Sequence, residues 1–367
     1  MFKLLCCGSN NGYQLGVGDN NDRHVMTVSK LHSHKRIVKM ASGAEHTLLI
    51  LEDGKLMGCG TNGRQQLFLD SLVERSPVFE TVHLLSAFKF KTIACGWEYS
   101  IAVTRDERIF VSGYGANGEL GLGKDIRSST KGYGEIMVNG ENRGGVKQLK
   151  SSIHSSIIQF GNDQVWAWGN NKKGQLVDYG KNESLKIIWE PVQLEFDKGL
   201  KVIDYAMGRD FTVFIVQDEH DKLKSLFRGR DNFDIERRLA SLHLSNDSFE
   251  CIESMWTSIH LIDDRRRIKS IGNNSYGQTF PGTDDDSPYI HYATGSEHGL
   301  CSTHNEAFSW GWGEHGNCGE HTRGDKSVDD VTFDYLNLLY RTNGKKEKIV
   351  DVFAGCATSF IQIEETL

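Results

Sequence analysis

Cys7-Gly8-Ser9-Asn10-Asn11-Gly12-Tyr13-Gln14-Leu15-Gly16 is a phrase that this chain repeats. It returns as Cys59-Gly60-Thr61-Asn62-Gly63-Arg64-Gln65-Gln66-Leu67 and as Gly113-Tyr114-Gly115-Ala116-Asn117-Gly118-Glu119-Leu120-Gly121. The clearest copy is Trp166-Ala167-Trp168-Gly169-Asn170-Asn171-Lys172-Lys173-Gly174-Gln175-Leu176. Two later copies start at Ile271 and Trp312, and a degenerate one lies near Phe227-Arg228-Gly229-Arg230. Asparagine and glycine at fixed offsets supply turn chemistry and left-handed backbone positions. Apolar residues before them read as strands.

A second phrase, Met40-Ala41-Ser42-Gly43-Ala44-Glu45-His46-Thr47-Leu48, places a small-residue turn ahead of an apolar strand. Relatives surround Gly96, Gly208, Trp256, Gly295 and Gly355, with a weaker one at Ser151–Ile157. Taken from Gly43, Gly96, Trp256 and Gly295, the anchors recur every 53 (96 − 43) and 39 (295 − 256) residues. That period suits a four-stranded propeller blade, for which about 40–50 residues is usual. Seven copies of each phrase can be counted. The first phrase at Gly8 has no anchor before it, and the last anchor at Gly355 has no such phrase after it. Pairing these two orphans completes a seventh blade and removes two open sheet edges. The sequence therefore predicts an all-β, seven-bladed β-propeller, a single domain over residues 1–367, closed by the N-terminal strand. A short helix over Phe233–Leu242 is expected to replace the lost turn of the fourth blade.

Composition narrows the function. Glycine makes up 39 of 367 residues but proline only 4, so the chain is rich in tight turns and is no disordered linker. The formal net charge is −7, and the basic runs Arg265–Arg267 and Lys345-Lys346 are short and flanked by acids. Direct binding to nucleic acid or an anionic membrane is therefore not expected. No apolar stretch approaches the ~18–20 residues of a membrane span. The N-terminal apolar run is too short for a signal peptide. Eight cysteines without a C-x-x-C pair fit reduced thiols, hence a cytoplasmic and nuclear location. Neither a phosphate-binding P-loop nor a nucleophile elbow is present, and no cofactor and no catalytic residue is expected.

The two phrases resemble the repeat of the regulator-of-chromosome-condensation family across essentially the whole chain. Five segments, around Met207-Gly208-Arg209, Met255-Trp256, Gly295-Ser296-Glu297-His298, Trp310–Gly319 and Gly355-Cys356-Ala357, resemble a fungal branch of that family more specifically. This resemblance implies a non-enzymatic scaffold that forms a heterodimer with a small CSL-type zinc/iron protein of diphthamide biosynthesis. It further implies support for diphthamide synthesis on elongation factor 2 and for Elongator-dependent modification of wobble uridines in tRNA, with any Elongator contact indirect. Fold analogy alone offers guanine-nucleotide exchange on a Ran-like GTPase as an alternative, and the family also has a microtubule-related link.

Tryptophan is favoured at interaction hot spots because it buries a large area and keeps one donor. Trp97, Trp256, Trp310 and Trp312 stand in or beside turns that face one rim, with inter-blade packing, which the repeat uses at the position read as shared by Trp168 and Trp312, as the competing role. Trp256 reads as a replacement for an anchor glycine, and partner contact and core packing are both open for it. His260, Glu297, His298, Glu314 and His315 complete the expected partner-binding set. The Glu45-His46, Glu297-His298 and Glu314-His315 pairs are neighbours on strands or turns, where adjacent side chains diverge. They read as turn and inter-blade hydrogen-bonding residues rather than acid–base pairs. His315-x-x-Cys318-x-x-His321, with His298, has a zinc-like spacing. However, Cys318 falls in the packing slot of the repeat, so a structural cysteine is expected and no metal. The insert 124–146 and the Asp284–Asp286 stretch are given no role beyond a solvated turn for the latter.

Overall fold

The computed structural model describes residues 1–129, 131–138, 144–242, 244–246, 248–282, 289–327, 329–344 and 346–365. The Asp284–Asp286 stretch and part of the 124–146 insert lie outside them. The first strand, β1 (Phe2–Gly8), and β2 (Arg23–Val28) come before any complete blade. The first blade follows as β3 (Ile37–Ser42), β4 (His46–Leu51), β5 (Leu56–Thr61) and β6 (Arg75–Thr81). The second holds β7 (Phe90–Cys95), β8 (Tyr99–Thr104), β9 (Ile109–Gly113) and the short β10 (Gly134–Glu135). The third is β11 (Val146–Ser151), β12 (Ser155–Phe160), β13 (Val165–Asn170) and β14 (Ile187–Gln193).

Among the described residues the next two blades have three strands each. The fourth is β15 (Lys201–Met207), β16 (Phe211–Gln217) and β17 (Leu223–Gly229), followed by α1 (Ile235–Ala240). The fifth is β18 (Phe249–Ser254), β19 (Ser258–Asp263) and β20 (Ile268–Gly272). The sixth is β21 (His291–Thr294), β22 (His298–Ser302), β23 (Glu306–Trp312) and β24 (Thr332–Arg341). β25 (Glu347–Ala354) and β26 (Thr358–Glu365) finish the chain and pair with β1 in the order β25-β26-β1-β2. The predicted closure is thus observed. β1 and β26 run antiparallel with Phe2 opposite Glu364 and Gly8 opposite Thr358.

The Asn-Gly phrase forms the turn after the third strand of a blade. Asn62 Oδ1 accepts from Leu67 N at 3.0 Å while its Nδ2 donates to Val73 O at 2.6 Å. Asn10 and Asn171 repeat that geometry, so one buried amide holds both ends of each loop. In the degenerate fourth copy Asp231 takes the place of asparagine and accepts from Ile235 N and Glu236 N at the start of α1. The helix of the fourth blade is therefore the repeat loop rebuilt around a carboxylate.

Blades meet through apolar faces and a repeated polar contact. Trp168 and Trp310, both fully buried, occupy the same place on β13 and β23. Each indole donates to a loop carbonyl of the preceding blade, Glu119 O at 3.0 Å and Gln278 O at 3.2 Å. His46 Nε2 lies 2.8 Å from Ser100 Oγ, Tyr99 OH 3.0 Å from Ser156 Oγ, and His298 Nε2 2.9 Å from Ser359 Oγ. The three pairs are equivalent and each joins one blade to the next. The sequence reading of His46 and His298 as inter-blade residues agrees with this geometry.

Six inner strands carry a register irregularity near their start: at Ile37/Lys39, Phe90/Thr92, Val146/Gln148, Val202/Asp204, Phe249/Cys251 and Ile349/Asp351. An extra residue there bends the strand and raises its twist. The bend lets each inner strand follow the channel while its outer neighbours fan away.

Three predictions come from this packing. Gly8 has φ +112°, and a Cβ there would stand 2.3 Å from Ala357 O at the closing ladder. Gly8→Ala should destabilise the protein by about 2–4 kcal/mol in urea unfolding, through backbone strain and a steric clash. Gly63→Ala, with nothing within 4 Å of the added carbon, should leave stability unchanged or raise it by up to about 1 kcal/mol. Burial depresses the imidazoles of His46 and His260 to about 3 and that of His298 to about 4. Burial also lowers half-buried His291, aided by nearby His304, Arg36, Arg266 and Lys348. Since the unfolded chain binds these protons first, the stabilisation is complete above about pH 6.5 and is lost as pH falls toward the folded values. Urea midpoints should therefore drop from pH 7 to pH 5, with each fully buried histidine contributing at most about 1.4 kcal/mol per pH unit. A flat profile over that window would contradict the assignment.

Candidate docking face

The turns after the first and third strands of every blade project to one face, where the inner turns surround the channel mouth. Their backbones are stitched together. Ala44 N donates to Trp97 O at 3.1 Å, Trp97 N to Ile153 O at 2.9 Å, and Arg209 N to Trp256 O at 2.9 Å. Trp256 N then donates to Ser296 O at 2.8 Å and Ser296 N to Gly355 O at 3.0 Å. Ser152 Oγ bonds Gly208 O at 2.8 Å across the third joint, and Thr47 Oγ1 bonds Gln14 O at 2.8 Å across the seventh.

This ring corrects two readings of the sequence. Gly43 N donates to His46 O, and the equivalent bond in the fifth blade runs from Met255 N to Ser258 O. Met255, not Trp256, therefore fills the anchor-glycine slot. Trp256 occupies the next position, the place of Ala44, Trp97, Ile153, Arg209, Ser296 and Cys356. Likewise Trp310, not Trp312, corresponds to the packing residue Trp168. Trp312 falls two positions further on, at the end of β23 opposite Thr332.

The face thus holds fewer of the expected contact residues than the sequence suggested. Trp97 is 39 % exposed, and its ring lies 6.0 Å from that of half-buried Trp256 across the mouth. Half-buried Trp312 stacks on Tyr276 at 5.0 Å and 14°, and Tyr276 is itself 39 % exposed. Glu314 and His315 are exposed, and His315 Nδ1 lies 3.1 Å from Asp22 Oδ2 of the seventh blade. These five expected residues, Trp97, Trp256, Trp312, Glu314 and His315, reach the surface.

His260, His298 and Trp310 do not reach it, because each is fully buried. Both nitrogens of His260 face serine hydroxyls, Ser258 at 3.1 Å and Ser270 at 2.8 Å. Glu297 is also buried. It accepts from Thr257 Oγ1 at 2.7 Å and Gln278 Nε2 at 3.2 Å, and burial raises its carboxyl above the ordinary value. All four serve the joints between blades, so a partner would feel them only through the scaffold.

The zinc-like spacing does not converge. Cys318 is buried, with its sulfur 3.6 Å from Trp310 O, and burial drives its thiol well above the ordinary value. His321 has Tyr335 OH at 3.0 Å on one nitrogen and Asp330 O at 2.8 Å on the other, while stacking on Phe333 at 3.9 Å. Among the described residues no group of three or more His, Cys, Asp or Glu is placed to hold a metal ion.

The channel beneath the tryptophans is a cavity of about 260 Å³, and sequence reasoning missed its charged lining. Lys150 Nζ donates to Ile252 O at 2.9 Å and lies 3.5 Å from both Asp204 Oδ1 and Glu253 Oε1. Burial alone would lower this ammonium, but Glu253 and Asp204 outweigh it and hold it above its usual value. Lys150 directly precedes the weak copy of the anchor phrase at Ser151–Ile157 and Glu253 directly precedes the copy without its glycine, which left little in the sequence to single them out.

The description "Regulator of chromosome condensation (RCC1) repeat" matches residues 3–50 and 162–215, and a second description of that repeat matches residues 37–66. An RCC1 repeat-containing protein of Schizosaccharomyces pombe is 25 % identical over 99 % of both chains. The secretion-regulating guanine nucleotide exchange factor of Bos taurus is 25 % identical over 88 % of this chain and 65 % of its own length. Among solved structures, Prp20p of Saccharomyces cerevisiae superposes with a TM-score of 0.80 over 100 % of this chain and 92 % of its own, at 18 % identity. Residues 3–66 and 162–215 thus match RCC1 repeats, and the chain is similar over its whole length to an RCC1 repeat-containing protein and shares the seven-bladed fold.

Proposed function

We propose that this propeller is a non-catalytic interaction scaffold that docks a protein partner on the face carrying Trp97, Trp256, Trp312 and Tyr276. The observation that carries this reading is the placement of partly exposed aromatic rings on one rigid rim, two of them meeting over the channel mouth. Such rings contribute large contact area with little side-chain entropy to lose, as hot spots require. The buried histidines His46, His260 and His298 each hydrogen-bond a serine hydroxyl within the blades or across their joints, an arrangement suited to packing rather than proton transfer.

The five specific segments extend the proposal. They resemble the fungal alpha-tubulin suppressor, also known as the killer-toxin-insensitivity protein, and a full-length fungal RCC1-repeat relative supports that direction. The partner is then the small CSL-type zinc/iron protein of diphthamide biosynthesis, in a heterodimer of the cytoplasm and nucleus. The pair supports diphthamide formation on elongation factor 2 and Elongator-dependent wobble-uridine modification. Titration calorimetry with that partner is expected to give one-to-one binding. Trp97→Ala and Trp256→Ala should each weaken it by about tenfold or more while the thermal midpoint stays close to wild type. Unchanged affinity in both variants would remove the docking face.

A second reading, guanine-nucleotide exchange, is favoured by the likeness to the bovine exchange factor over most of this chain. Prp20p, of the same fold, was characterised for its binding to Gsp1p and histones. Accelerated nucleotide release from a Ran-like GTPase at substoichiometric protein would select exchange over scaffolding; an unchanged release rate would discard it.

A further inference from the structure

Beside Trp97, a groove of about 560 Å³ runs outward from the channel mouth along the joint between the seventh and first blades. Trp97, Glu45, Glu98 and Arg64 line it, and His315 stands at its margin. Its charges are not equally available. Arg64 is engaged twice, with its guanidinium 3.5 Å from Glu98 and 4.7 Å from the ring centre of Tyr114. His315 is turned to Asp22 at 3.1 Å. Glu45 is exposed, and among the described residues its carboxylate meets only a neutral group, the Thr61 hydroxyl at 3.2 Å.

An exposed indole and an exposed carboxylate without a cation recognise the same chemistry. The face of a tryptophan attracts a cation through its quadrupole, and a carboxylate does so through charge and hydrogen bonding. The Trp97 ring is already supported by Trp256 at 6.0 Å. Little ordering is therefore left for binding to complete. Of the acidic residues at the equivalent position, Glu98 and Asp210 are paired with Arg64 and Arg209 and Glu297 is buried, so Glu45 carries the unpaired charge there among the described residues. The net charge of −7 favours approach of a positive group.

We infer that this groove receives an arginine or lysine side chain of a docking partner, with the cation over Trp97 and paired to Glu45. The inference rests on the proposed docking face and adds the sign and chemistry of the contact. Acetyl-triarginine amide, titrated into the full chain and followed by tryptophan fluorescence and calorimetry, tests it against the neutral tricitrulline and the acidic triglutamate peptides.

Saturable binding is expected for the arginine peptide alone. It should weaken about fivefold or more in Glu45→Gln and in Trp97→Ala, and again as NaCl is raised, since exposed charges are screened. Glu80→Gln, at an exposed site on β6, should leave it unchanged. Equal binding of the citrulline or glutamate peptide, or arginine binding indifferent to Glu45→Gln, would overturn the inference. The protein complex separates the two levels. Sensitivity to Trp256→Ala with indifference to Glu45→Gln and salt keeps the docking face but rejects the cationic contact; indifference to both substitutions rejects the face itself.

Discussion

The structure depends on a ring of hydrogen bonds between the inner turns of neighbouring blades. A propeller blade is held by the blades beside it, so the array has no central core to supply long-range order. At the channel mouth the backbone N–H and C=O groups are largely enclosed and need partners. Ala44, Trp97, Arg209, Trp256 and Ser296 satisfy this by donating from one turn to the next. The close approach explains the anchor residue before them. A Cβ on Gly43 would stand 2.3 Å from Gly96 O, so that turn requires glycine. Met255 fills the equivalent slot of the fifth blade and buries its side chain beside Cys301 and Trp310.

The same ring separates fold from function within single residues. At the position after the anchor, the backbone does the stitching while the side chain is left at the mouth. The seven residues there are Ala44, Trp97, Ile153, Arg209, Trp256, Ser296 and Cys356, which share no chemistry. Free variation at a structurally fixed site is how a repeat fold acquires a specific surface. Two tryptophans from blades far apart in sequence meet there at 6.0 Å. The neighbouring position shows the opposite division. Glu297 is buried and bonded to Thr257 and Gln278, whereas its repeat equivalent Glu45 is exposed.

Closure places a second demand on the chain ends. The seventh blade combines β25 and β26 with β1 and β2, so its inner and outer strands come from opposite ends of the sequence. Cys6, Leu4 and Phe360 lie in one buried cluster with Leu49, Met57 and Phe79 of the first blade. The closing ladder and the apolar joint beside it therefore support each other. This is the longest-range contact in the protein, and the loop entropy of forming it is repaid only once the other blades have stacked.

Much of this architecture was legible in the sequence because the repeat carries its own punctuation. Gly8, Gly60, Gly169 and their asparagine neighbours mark turns by backbone conformation, a local property that survives without tertiary context. The orphan phrases at the two ends revealed the closure for the same reason. Legibility failed where punctuation was missing or doubled. Met255 in place of glycine moved Trp256 by one position, and the tryptophans on both sides of Gly311 exchanged roles. The bulges of the inner strands left no trace, since the extra residue is Val38 in one blade and Lys91 in another. Sequence alone determined the number of blades, their order and the closing strand, because turns and strand periodicity are local. Only the tertiary structure decided which of Trp97, Trp256, His260, Glu297, His298, Trp310 and Trp312 meet solvent. Burial is set by the neighbouring blade, whose residues lie some forty to sixty positions away in the chain.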